Sequence, residues 1–292
     1  MRIVAKAYAK LNLTLEVLGK RPDGYHEITG ILQTISLADE LTFETAITLS
    51  LAVDEASVDT PGNLVLKAAR MLQERARTGH GARIELTKRI PVAGGLGGGS
   101  VDAAAALLAL NKLWDLRLGP GVLLGMAAEL GSDVPYLLHG GTALVAGRGD
   151  QVRPLLPLQP AHFVILAPRM HIPNKTATAF GMMRPEHYTK GKVTALLGRA
   201  IQNGEPTREP WQYNAFDTPV FEAYPDLHQW RLELIEAAYR RPHLCGAGPS
   251  MFMPVDSYGD ARKVASRLPA NGEAAAFAVS SAPASVSLQV ED

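Results

Sequence analysis

Residues 90–107 read Ile-Pro-Val-Ala-Gly-Gly-Leu-Gly-Gly-Gly-Ser-Val-Asp-Ala-Ala-Ala-Ala-Leu. Five of the six residues from Gly94 to Gly99 are glycine, and an Ala/Leu-rich run follows almost at once. Ordering glycine costs more chain entropy than ordering any other residue, so the loop must gain something by being ordered. Upstream, Ile84, Leu86 and Ile90 alternate as a strand; downstream, the pattern predicts a deeply buried helix from about Ser100 to Leu113. Strand, glycine loop and helix start together make an anion-binding device. Backbone N–H groups approach a ligand unobstructed, and the helix N-terminus adds partial positive charge. Phosphate is the expected guest. The loop is not a Walker sequence, because no Gly-Lys-Ser/Thr closes it. Nor does a suitable acidic residue follow at dinucleotide spacing. A flexible loop with Ser100 as an ordinary N-cap is the plainer alternative. Flexible linkers seldom run straight into so apolar a helix.

Working outward, Leu11, Leu13, Leu15 and Val17 alternate with Lys10, Asn12, Thr14 and Glu16, the pattern of a half-buried strand. Lys10 and Asn12 share its polar face and can point into one cleft. Arg21-Pro22-Asp23-Gly24 is a turn signal. Residues 27–37 and 39–51 read as two further strands, and Asn63 opens a helix bearing Leu64, Ala68, Met71 and Leu72 on one face. A helix over 121–130 is expected, then a strand between Gly140-Gly141 and Gly147-Arg148-Gly149. Arg148-Gly149-Asp150 is read as a turn. Asp133 precedes a Val-Pro step, which disfavours helix at Val134. Pro154, Pro157 and Pro160 mark a boundary. Beyond it come a strand at 162–167, a helix at 226–240, strand–turn–strand at 244–253, a helix at 258–268 and a strand at 274–279. The fold class is α+β, in two domains, 1–155 and 156–292.

Of 292 residues, 47% are hydrophobic and 20% charged, and Lys plus Arg balances Asp plus Glu. A formal charge of zero argues against a general nucleic-acid binder or an anionic-membrane protein. Cys245 is the single cysteine, so no internal disulfide forms and a reducing compartment is expected. Lys6 and Lys10 interrupt the first apolar stretch, unlike a signal peptide. The longest apolar run, Ala103–Leu110, falls far short of the ~20 residues of a membrane helix. The expected location is cytoplasmic, with no membrane and no nucleic-acid partner.

Phosphoryl transfer needs a group that deprotonates an attacking hydroxyl and a cation for developing charge. Lys10 and Asp133 offer these, although either alone reads more readily as a solvated lysine or a turn or cap aspartate. Three stretches change that weighting: Ala7-Tyr8-Ala9-Lys10-Leu11-Asn12-Leu13, Pro91 to Ala104, and Leu244-Cys245-Gly246-Ala247-Gly248-Pro249-Ser250. In order and spacing they resemble the GHMP kinases, over nearly the whole chain. Arg21-Pro22-Asp23-Gly24-Tyr25-His26-Glu27 and Gly131-Ser132-Asp133-Val134-Pro135-Tyr136 narrow the resemblance to the branch acting on a cytidyl diphospho-methylerythritol.

The resemblance implies an N-terminal domain like ribosomal protein S5 domain 2 and a ferredoxin-like C-terminal domain. It implies that ATP, with Mg²⁺, phosphorylates the substrate's 2-hydroxyl on the non-mevalonate route to isoprenoid precursors. By position, Asp133 matches the general base and Lys10 its charge partner. Gly94, Gly95, Leu96, Gly97, Gly98, Gly99 and Ser100 match the loop around the ATP phosphates. Asn63 and Asn111 resemble adenine-side residues. Asn12 matches a substrate contact, and Tyr25, His26, Thr176 and Phe180 match the cytidine and substrate pocket. Val101 and Ala93 depart from the serine and glycine usual there, and Asn214-Ala215-Phe216-Asp217 resembles its segment only loosely. No second acidic residue of the kind that holds magnesium in some members of that family is evident. A kinase for another alcohol, homoserine or mevalonate, and a catalytically inactive ligand sensor are the alternatives.

Overall fold

The computed structural model describes residues 1–205, 211–268 and 272–291. Its first two strands, β1 (Arg2–Lys20) and β2 (His26–Ala46), form one long antiparallel hairpin across the Arg21–Gly24 turn. Three register shifts interrupt β1, and two of them bracket Lys10 and Asn12. Such bulges re-aim side chains, and here they turn the polar residues toward a common cavity. Residues expected as two strands, 27–37 and 39–51, are instead the single β2, followed by the short β3 (Ser50–Val53). Partner changes explain this. β2 carries β5 (Thr142–Gly147) along Ile28–Gln33 and β4 (Gly81–Thr87) along Glu40–Ala46.

The first sheet runs β12 (Val286–Glu291), β1, β2, β4, β3. Beside it, β6 (Gln151–Pro154) pairs β5, and β8 (Tyr213–Asn214) pairs β1. Helices α1 (Leu64–Ala76), α2 (Gly98–Leu113) and α3 (Pro120–Leu130) share the core of this sheet. As expected from its composition, α2 is buried almost all round, from Val101 through Leu107 and again at Ala109 and Leu110. Asn63 caps α1 by accepting from the Val65 N–H at 2.8 Å.

The second sheet is antiparallel: β11 (Ala274–Ser280), β7 (His162–Pro168), β10 (Met251–Val255), β9 (His243–Leu244). With its core pack α5 (Lys175–Gly181), α7 (Asp217–Ala223), α8 (Pro225–Ala238) and α9 (Tyr258–Ala265), while α6 (Lys192–Gln202) packs on β1 and β2 of the first sheet. Strand β7 joins the two cores. Phe163 and Ile165 pack into the first and Val164 and Leu166 into the second, as period-two alternation requires.

Two local expectations are corrected. The strand at 11–17 is not half-buried: Thr14 and Glu16 lie beneath α6, where the Glu16 carboxylate accepts from the Thr194 N–H at 2.7 Å and Thr14 Oγ1 meets Thr194 Oγ1 at 2.9 Å. Val134 is helical, opening the one-turn α4 (Val134–Leu137). Pro135 falls in the first turn, where a missing N–H breaks no helical bond. Among the described residues no helix is long and apolar enough to cross a membrane.

Candidate active site

A cavity of about 1150 Å³ runs from the glycine loop to an aromatic cluster near the hairpin turn. Gly97, at φ +78°, is the N-cap of α2, and Gly95 has φ +86°. Ser100, the alternative cap, lies inside the helix; a left-handed backbone at the cap position selects glycine instead. The loop is held from two sides. Lys10 N–H donates to the Leu96 carbonyl at 2.9 Å, and Ser250 N–H to the Gly94 carbonyl at 3.2 Å. The loop at 245–248 packs so closely that a Cβ on Gly95 would stand 1.8 Å from the Cys245 carbonyl oxygen.

Lys10 is buried at this mouth. Its Nζ donates to Asn12 Oδ1 at 2.8 Å and lies 3.5 Å from Asp133 Oδ2. Asp133 enters from the residue before α4, so the cavity unites Lys10, Asn12, Asp133 and the loop from Gly94 to Ser100. The two opposite charges face each other across the mouth, and Asp133, its side chain 42% exposed, remains open enough to meet a substrate hydroxyl.

Two further lysines line the cavity, and sequence reading passed over both. Lys88 bonds to Asp39, and to Asp102 at 2.8 Å. Burial acts to lower its pKa, but the two carboxylates prevail and raise it above the ordinary lysine value. Asp102 is displaced upward, first by its burial, and its Oδ1 has no hydrogen-bond partner among the described residues. Lys175, at the start of α5, donates to the Ala93 carbonyl at 2.5 Å and the Gly248 carbonyl at 3.0 Å. Burial and then the neighbouring Lys10 ammonium bring Lys175 down to about 8. A lysine's function in such a place depends on which chain segments meet around it, and local sequence is silent on that.

At the other end, His26 stacks on Phe180 with ring centroids 5.0 Å apart and planes at 15°. Phe216 meets Phe180 edge-on at 4.9 Å, and Tyr188 meets His26 edge-on at 6.0 Å. Burial and then the Lys20 charge hold His26 below the ordinary imidazole value, so the ring is neutral near pH 7. Its nitrogens can then donate and accept. Tyr25 lines the cavity with one ring face covered by Arg148, whose Cζ lies 3.8 Å from the ring centroid. The residues read as a plain turn at 148–150 thus supply a cation to this end. Thr176 is also on the wall.

Asn63 lines the cavity while capping α1. Asn111 is not brought to it. Its amide donates to the Leu118 carbonyl at 3.2 Å and accepts from the Leu118 N–H at 3.0 Å, clamping the turn between α2 and α3. The loosely matching Asn214 holds the 245–248 loop by donating to the Leu244 and Gly246 carbonyls at 2.9 and 2.7 Å.

Comparison with known proteins adds to this geometry. Residues 63–141 match the family model described as GHMP kinases N terminal domain. The chain is 41% identical over 272 residues to a 4-diphosphocytidyl-2-C-methyl-D-erythritol kinase of Pelotomaculum thermopropionicum, covering 91% of this chain and 94% of that protein. It is 39% identical to one from Dehalococcoides mccartyi, covering 88% and 91%. A crystal structure of 4-(cytidine 5'-diphospho)-2C-methyl-D-erythritol kinase superposes with TM-score 0.83 at 33% identity, over 95% of this chain and 98% of that one.

Proposed function

Because the chain belongs to the 4-diphosphocytidyl-2-C-methyl-D-erythritol kinases, within the GHMP kinase fold, we propose a division of labour for its cavity. The reaction is transfer of phosphoryl from ATP to the 2-hydroxyl of that cytidyl diphosphate alcohol, an isoprenoid precursor. In our reading Asp133 takes the hydroxyl proton, and Lys10, fixed by Asn12, is its charge partner and steadies the attacking oxygen. The oxygen attacks the γ-phosphorus, the bond to the β-phosphate oxygen breaks, and ADP leaves. Residues 94–100 bind the ATP phosphates and Asn63 lies on the adenine side. Asn12, Tyr25, His26, Thr176 and Phe180 bind the cytidyl substrate. The observation that carries this reading is the Lys10–Asp133 approach of 3.5 Å at the mouth of the glycine loop. An inactive sensor has no need of that pair.

Mg²⁺ belongs to the same proposal. Among the described residues no group of three or more His, Cys, Asp or Glu could hold a metal alone. A small hard cation of this kind would arrive with the nucleotide. Ser100 would add its hydroxyl. When bound, the ion neutralises charge across the β- and γ-phosphates. We also place the working domain division at 155/156; strands β8 and β12 cross back to the first sheet. The pocket is for a small molecule, without nucleic acid.

ADP release with Mg²⁺-ATP tests the reaction, with the cytidyl diphospho-methylerythritol run beside homoserine and mevalonate. Turnover confined to the first is expected. Turnover only with another alcohol would overturn the substrate, and silence with all three while ATP still binds would favour the sensor. Within the same assay, the Tyr25→Ala/His26→Ala double variant should raise KM for the cytidyl substrate by about 10–100-fold, the worth of one stacked and edge-read base. KM for ATP should stay within about twofold. Equal effects on both would mean that the base lies elsewhere.

A further inference from the structure

Three lysines reach the phosphate end of the cavity: Lys10, Lys88 and Lys175. Lys10 has Asn12 and Asp133, and Lys88 has two carboxylates. Lys175 has only carbonyl oxygens, and no carboxylate pairs with it among the described residues. A partly buried ammonium facing neutral acceptors is under-compensated. The acceptors also define where it sits. Ala93 immediately precedes the glycine loop and holds φ +56°, a left-handed backbone that aims its carbonyl at the ammonium. The Gly248 carbonyl oxygen lies 3.1 Å from the position of a Gly95 Cβ. Lys175 therefore stands between the two loops that form the phosphate end. An ammonium has three N–H groups, and these two carbonyls engage two of them.

We infer that Lys175 is a further catalytic cation of the phosphoryl transfer, giving its third N–H to an equatorial oxygen of the group in flight. The inference rests on the kinase reading above. Charge on those oxygens is what the protein must stabilise, since the protein does little covalent chemistry in this reaction. Lys10 is committed to the hydroxyl side by Asn12 and Asp133. Lys175 comes from α5, the helix that also carries Thr176 and Phe180. The same helix thus contacts the bound alcohol and the phosphoryl donor, so filling one end positions the cation at the other. The charged groups facing Lys175 are Lys10 from β1 and Asp133 from the start of α4, with the Cys245 thiol beyond β9.

Kinetics of Lys175→Met and Lys175→Arg test this. In Lys175→Met, kcat should fall by about 10²–10³-fold, the cost of losing one preorganised donor to developing charge. Both KM values should stay within about threefold and the melting temperature near that of the parent. Lys175→Arg, still cationic, should recover at least about a tenth of kcat. The parent enzyme supplies a readout that needs no variant. A lysine is charged below its pKa and neutral above it, so kcat/KM for ATP, which reports the free enzyme, should decline as pH rises through about 8. That limb should move well above pH 9 in Lys175→Arg. A Lys175→Met enzyme with kcat within about threefold of the parent, or a parent profile flat through pH 9 with unchanged Lys175→Arg behaviour, would overturn the assignment while leaving the kinase intact. A parent with no turnover would remove the kinase reading and this assignment with it.

Discussion

Asp133→Asn is expected to bind Mg²⁺-ATP within about twofold of the parent while losing about 10²–10⁴-fold in turnover, the usual contribution of a positioned base. The substitution keeps the shape and an oxygen that Lys10 can still approach, and removes only the proton acceptor and its charge. Folding should survive, because the Asp133 side chain is 42% exposed and leaves no buried group stranded. Lys10 is the buried member of the pair, and Asn12 Oδ1 at 2.8 Å still holds it. ATP binding by calorimetry and single-turnover kinetics separate the two effects. Turnover within about threefold of the parent would take Asp133 out of the mechanism and return it to the role of a turn residue.

The second large effect is expected at Gly95. Alanine there must adopt φ +86° and bring its Cβ to within 1.8 Å of the Cys245 carbonyl oxygen. Both obstacles are backbone, so no side-chain rotamer relieves them. Either the glycine loop or the 245–248 loop must shift by more than an ångström. Displacements of that size at a reacting centre cost on the order of 10²-fold in rate, and the strained backbone adds roughly 1–3 kcal/mol of destabilisation. Gly95→Ala should therefore weaken ATP binding and lower the melting temperature together. Gly99→Ala is the control. Its Cβ would meet only Leu64 Cδ1 at 3.8 Å, and it lies within α2, so stability should be unchanged or slightly higher. If Gly95→Ala bound ATP as the parent does, the contact between the two loops would not be part of the phosphate site.

Those two residues also show what could be read from sequence. The glycine loop was legible because glycine followed by an apolar helix has few other physical uses. Lys10 and Asn12 were legible as a polar face, but not as bulge neighbours, since bulges are a property of pairing and pairing is nonlocal. Their burial was invisible for a related reason: whether a polar face meets water or a helix such as α6 depends on residues nearly 180 positions away, as Glu16 and Thr194 illustrate. Asn111 went the other way. Helix-end asparagines serve nearby carbonyls as readily as ligands, and here Leu118 claimed both ends of the amide. The Val-Pro step at 134–135 misled because proline's exclusion from helices lapses in the first turn. Lys175 lay beside Thr176 in a stretch already singled out, yet only its two carbonyl partners, 82 and 73 residues away, mark it out.

The pairing of β12 with β1 has a consequence for how the molecule is made. Residues 286–291 fill the edge of the very first strand, from Arg2 to Ala7. During synthesis that edge stays bare until residues 286–291 have been translated, and a bare strand edge is a template for pairing with other molecules. Sequence separations this long also slow folding. A ribosome-held or truncated chain ending near residue 155 would therefore own the glycine loop and most of its sheet, yet remain prone to aggregate. The segment that closes the edge is translated long after the strand it covers, so protection of that first edge waits on a stretch of chain far downstream.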